Sequence, residues 1–66
     1  MLRLSKRKIL LILAEKDMSI AELARNAGVS ANNMSVLLNR GRCFTPTVGK
    51  LAKALGVSVA EIVEEE

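Results

Sequence analysis

The sequence predicts an all-α protein, a compact bundle of five helices, and three observations carry that prediction. Helix-capping residues stand ahead of apolar runs, the apolar residues repeat at helical spacing, and glycines stand where runs stop. Half of the 66 residues are hydrophobic while Phe44 is the only aromatic, so the core must come from Leu, Ile, Val, Met and Ala. That mixture suits helices. A chain this short buries only about 60% of the surface its unfolded form exposes, so residues 1–66 read as one domain. No repeat, low-complexity tract or linker interrupts it.

The first helix is predicted over Lys6 to Lys16, with Ser5 as N-cap and Leu4 stapled to Ile9. Its first turn, Lys6-Arg7-Lys8, opposes the positive end of the helix dipole, so these cations are either solvated or facing something anionic. In "MSIAEL", Ser19 caps the second helix, Glu22 completes a capping box and Met18 staples to Leu23. Gly28 is the left-handed stop. The third helix restarts at once, with Ser30 as N-cap and Val29 against Met34, so the turn between the two is tight. Asn33 holds the position where a capping box would place Glu or Gln.

"NRGRCFT" reads as a polar connector. Thr45 is the predicted cap of the fourth helix, with Pro46 at its first position, and Val48, Leu51, Ala52 and Leu55 share one face before Gly56 stops it. Gly49 inside that helix costs about 1 kcal/mol against Ala and is read as a mark of close packing. A fifth helix is predicted from "VSVAEI", with Ser58 as cap, Glu61 completing the box and Val57 stapled to Ile62.

Composition removes several classes of function. The lone Cys43 cannot form an internal disulfide and has no expected role as a reactive thiol, so a reducing cytosol, hence a cytoplasmic protein, is expected. The longest apolar run, Ile9 to Ala14, is far short of the roughly 20 residues a bilayer requires, and no small-residue cleavage site follows it as in a signal sequence. No membrane partner, small-molecule ligand, cofactor or metal is expected. Enzyme activity is the weakest reading, because there is no His, Cys43 has no candidate base, and Glu15, Asp17 and Glu22 lack metal-ligand spacing. Net charge is +3, yet Glu61, Glu64, Glu65 and Glu66 crowd the last six positions, so residues 1–60 set ten cations against three acids, or +7. Such an excess is the footprint of a polyanion partner, or else a merely solvated basic surface.

At about 100° per residue, Met34, Leu37 and Leu38 turn toward the bundle, and Asn32, Val36 and Asn39 lie opposite. Ser35 and Arg40 flank them, with Ala31 and Asn33 at the N-terminal tip. An ordinary solvated face would carry Glu and Lys. Amides instead pair bidentately with adenine in the major groove, and Ala or Val methyl groups pack on the thymine methyl. Asn32 and Asn33 also have a plainer reading as residues tolerated near an N-cap.

"SIAELARNAGVSANNMSVLL" resembles the helix-turn-helix of lambda-repressor-like, Cro-type (XRE) DNA-binding proteins, and "KLAKALGVSVAEI" resembles the fourth and fifth helices of the same domain. Leu23, Ala24, Gly28, Val29, Met34 and Leu37 fall at the motif's structural positions, and the likeness covers about Met18 to Val63. The resemblance implies a helix-turn-helix over about residues 19–39 with its recognition helix at about 30–39. Ser30, Ala31, Asn32, Asn33, Ser35 and Val36 then face base edges or nearby phosphates, and Asn39, Arg40 and Arg42 meet the backbone of double-stranded DNA. The chain departs from the family in having Ile20 where a polar residue, typically Gln, often starts the second helix, and in placing Gly41 one position late.

The implied function is a sequence-specific transcriptional regulator that binds double-stranded DNA. One such module reads few base pairs, so a homodimer on half-sites about 34 Å apart is expected, with Val59, Val63 and part of "ILLIL" as surplus apolar surface. The acidic end should project away from DNA. The competing reading is a protein-binding module, antitoxin-like or adaptor, working through Val36, Leu38 and Ile20.

Overall fold

The computed structural model describes residues 1–64 of the chain. Its elements run β1 (Leu2–Arg3), α1 (Lys6–Glu15), α2 (Ile20–Ala27), α3 (Ala31–Arg40), β2 (Arg42–Cys43), α4 (Thr45–Leu55) and a short 3-10 turn at Val59–Glu61. The caps expected at Ser5, Ser19 and Ser30 form where sequence chemistry put them. Ser5 Oγ accepts the Lys8 N–H at 3.2 Å, and Ser19 and Glu22 exchange both bonds of a capping box at 3.1 and 3.3 Å. Ile9, Leu23, Met34, Leu51, Leu55 and Ile62 are fully buried. Leu4, Ala24 and Ala52 join the same core, with α2 packed on α3 and α4.

Among the described residues four α-helices form, not five. The segment predicted as a fifth helix makes only i→i−3 bonds, Glu61 N–H to Ser58 and Ile62 N–H to Val59, both at 3.1 Å. The Glu61 carboxylate does reach back to the Ser58 N–H at 2.9 Å. Elongation stops because the backbone beyond is taken by the N-terminus. Ser5 N–H donates to the Ile62 carbonyl at 2.8 Å, Glu64 N–H donates to Arg3 at 3.0 Å, and Val63 bridges Leu4 antiparallel.

Part of the expected connector after α3 is strand. Leu2 pairs with Cys43 and Arg3 with Arg42 in an antiparallel ribbon, and Leu4 N–H donates to the Gly41 carbonyl at 2.9 Å. Residues Leu2 to Ser5 thus lie between the end of α3 and the C-terminal segment, tied to both. This ribbon holds Phe44 extended, and α4 begins one residue earlier than predicted. Phe44 is the N-cap, without a side-chain bond, Thr45 is the first helical residue, and Pro46 follows it. The expectation about the acidic end falls partly on Glu65 and Glu66, outside the described residues; Glu64 is exposed.

Gly49 is not a site of close packing, since a Cβ built there meets nothing within 4 Å. The same space surrounds Gly28, but Gly28 has φ 74° while Gly49 is not left-handed. Ala is therefore expected to raise stability by about 0.4–1 kcal/mol at position 49, through the unfolded state, and to lower it by more than that at position 28. Urea denaturation midpoints of Gly49→Ala and Gly28→Ala check this, and equal signs would show that φ is not the controlling variable.

Candidate nucleic-acid interface

Three residues join α2 to α3, and both helix ends are closed within them. Gly28 N–H donates to the Arg25 carbonyl at 3.2 Å and Val29 N–H to Ala24 at 2.8 Å, the two bonds of a Schellman cap. Ser30 then turns its hydroxyl onto the Asn33 N–H at 3.2 Å. Buried Met34 and Leu38, with half-buried Leu37, fix the rotation of α3 about its axis.

All nine predicted site residues are exposed, namely Ser30, Ala31, Asn32, Asn33, Ser35, Val36, Asn39 and Arg40 on α3 and its cap, and Arg42 on β2. Val36 leaves 48% of its surface open. The outward face carries no acid, and the first turn of α3 lacks one too. Arg42 stands apart from the others, beyond the left-handed Gly41 that ends the helix. Leu38, assigned to a protein-binding surface in the competing reading, is 4% exposed and belongs to the core. Ile20 is half-buried.

Four neighbours of this face fall outside the predicted site residues, although Lys6 belongs to the first turn already read as facing either solvent or an anion. Arg3 lies directly opposite Arg42 in the ribbon, because inward-facing Leu2 and Cys43 turn the alternate positions outward. Like charges so placed disfavour the pairing, and an anion between them would relieve it. Lys6 extends its Nζ to Asn39 Oδ1 at 3.5 Å, a long contact that brings the first turn of α1 to the C-terminal end of α3. Lys8 turns the other way, onto the Val63 carbonyl at 3.2 Å. The cationic first turn is therefore divided, one residue toward the α3 face and one toward the C-terminal segment.

Lys50 and Phe44 are the remaining two. They line an open groove between α3 and the start of α4 together with Val29, Asn33, Val36 and Arg40. Lys50 was legible, since it lies about 200° around the helix from buried Val48. Phe44, 67% exposed, had no such signal, as its segment read as a connector.

The arrangement offers hydrogen-bonding amides and small apolar groups on a convex helix, with cations at the margins. Among the described residues no cluster of three His, Cys, Asp or Glu side chains stands ready for a metal. Cys43 is fully buried, and burial raises its pKa against the lowering effect of hydrogen bonds from Thr47 and the Phe44 backbone. No described helix is long and apolar enough to cross a membrane.

A family model described as the Cro/C1-type HTH DNA-binding domain matches residues 8–66. Comparison with curated proteins and with solved structures returned no match. The matched span contains both helices of the turn, the capped α3 and the whole of α4, so the protein belongs to the Cro/C1-type helix-turn-helix family of DNA-binding transcription regulators.

Proposed function

We propose that the protein reads a specific double-stranded DNA sequence with α3 in the major groove, and that two copies act together on two half-sites as a cytoplasmic transcriptional regulator without enzymatic activity. The observation that carries this reading is the outward face of α3, exposed from Ala31 to Arg40 except where Met34, Leu37 and Leu38 enter the bundle, and free of carboxylates. Asn32 is assigned to base reading, with Asn33, Ser35, Ala31 and the Val36 methyl groups beside it. Ser30, Asn39, Arg40 and Arg42 are assigned to phosphates, joined by Arg3 and Lys6. Family membership supports DNA as the partner. The buried, unpaired Cys43 fits a reducing compartment.

One observation favours a second reading. Val36 and Phe44 expose apolar surface into the same groove, as a protein-binding face would. Selection from random duplex DNA at two salt concentrations separates the two. A palindromic enriched sequence supports paired copies on DNA, whereas no enrichment at either salt favours the protein partner.

Replacing Asn32 by Ala is expected to cost about 1–3 kcal/mol on the selected site and to relax one base position; equal loss on all duplexes would remove Asn32 as a reader. Arg42→Ala should weaken every duplex alike and reduce the salt slope by about one, and an unchanged slope would take Arg42 off the phosphate list.

Asn33→Glu is expected to act in opposite directions on stability and binding. The new carboxylate completes a capping box with Ser30 and meets the helix dipole, adding about 0.3–1 kcal/mol of stability, while its charge lowers duplex affinity several-fold at low salt. Thermal melts paired with duplex titrations check this. Unchanged affinity would mean that phosphates do not approach the tip of α3.

A further inference from the structure

The outward face of α1 takes no part in the interface described above. Ile9 and Leu13 are buried, and Leu11, pointing the opposite way, keeps 53% of its surface exposed, with Leu10 beside it at 40%. On a 100° wheel Arg7 and Glu15 fall about 40° to either side of Leu11, and Lys8 and Ala14 about 60°. All four are exposed. An open depression continues this face across Ile12 to Ala60 and Glu61, and Val59 on the same 3-10 turn is 37% exposed.

The order of charges along this face is what identifies an occupant. Arg7 and Glu15 stand equally far from Leu11, four residues before it and four after, about 6 Å each way along the helix axis. A parallel copy would set Arg7 against the partner's Arg7. An antiparallel copy related by a two-fold axis beside Leu11 sets Leu11 on the partner's Leu11 and Arg7 against the partner's Glu15, twice over. Such self-complementarity is the mark of an isologous contact. Arg7 is also the one cation of the first turn without a hydrogen bond to the rest of the described fold, as Lys6 reaches Asn39 and Lys8 reaches Val63.

We propose that α1 is the surface through which two copies of this chain join, packed antiparallel about Leu11 with Arg7 of each facing Glu15 of the other. The proposal deepens the two-copy reading above and rests on it, but not on DNA recognition. The apolar patch is small beside the roughly 1,200–2,000 Å² that stable interfaces bury. The free protein is therefore a weak dimer that adjacent half-sites would strengthen by holding two copies together.

Sedimentation equilibrium of the whole chain without DNA, from micromolar to about millimolar protein at low salt, tests this. A monomer–dimer equilibrium is expected, and Leu11→Lys, which places a good helix former at an exposed position, should abolish it with an unchanged melting curve. Arg7→Glu and Glu15→Arg should each weaken association at least tenfold, as like charges then face one another, and the double swap should restore it to within about threefold. A wild-type chain that stays monomeric at the highest concentration overturns the proposal. So does a dimer that survives Leu11→Lys, or a double swap no better than the single changes. Since no DNA is present, each of those results leaves duplex reading by one copy untouched.

Discussion

Between the last residue of α2 and the first of α3 the chain has only Gly28, Val29 and Ser30 in which to close two helix ends. The carbonyls of Ala24 and Arg25 need donors, and the first amides of α3 need acceptors. Gly28 supplies the left-handed turn that lets its own amide and that of Val29 bond backward, and Ser30 supplies the hydroxyl that bonds forward. The crossing of the two helices follows from this turn, and Val29 packs against the core between them. Burial of Met34 and Leu38 then sets the rotation of α3. What the helix presents to solvent is the residue of these constraints, which makes its composition informative.

The N-terminal segment is a second tie, and it acts on the far end of the same helix. Leu2 to Ser5 bonds to Gly41 and β2 on one edge and to Ile62 and Glu64 on the other. The exit of α3 is therefore anchored as firmly as its entry, although the ribbon has only two residues per strand. A two-stranded ribbon of this length has no stability of its own. It persists because Leu4 and Cys43 are buried, and their burial brings Arg3 and Arg42 together despite the like charges.

These two ties explain what was legible in the sequence. Caps, staples and left-handed stops are local, so "SIAELARNAGVSANN" could be parsed residue by residue, and α2 and α3 lie where it put them. The ribbon and the lost fifth helix depend on residues about forty and sixty positions apart, and nothing in Leu2-Arg3 or "VSVAEI" announces that pairing. The local signal of Ser58 and Glu61 was real, since their bond forms, but Ile62 and Val63 were claimed by the N-terminus. The first helix ends within a residue of the predicted Lys16, although no glycine marks the stop. Asp17 adopts φ 54° with its N–H on Ala14 and the Met18 N–H on Leu13, a Schellman closure like that of Gly28 but made without glycine. Of the surface around α3, periodicity could have marked Lys50 as outward-facing, while Arg3 and Lys6 became neighbours of α3 only through the fold.

The distribution of acids among helix starts separates stability from function. Glu22 and Glu61 sit at the starts of α2 and the 3-10 turn, where each carboxylate accepts a backbone amide. The first turns of α1, α3 and α4 have no acid, and the cap of α4 makes no side-chain bond at all. Each omission forgoes about 0.3–1 kcal/mol of dipole compensation, a large sum for a domain this small. A polyanionic partner accounts for the pattern. Carboxylates near its path would oppose binding at every approach, whereas Glu22 and Glu61 reinforce the fold at positions outside the proposed contact set.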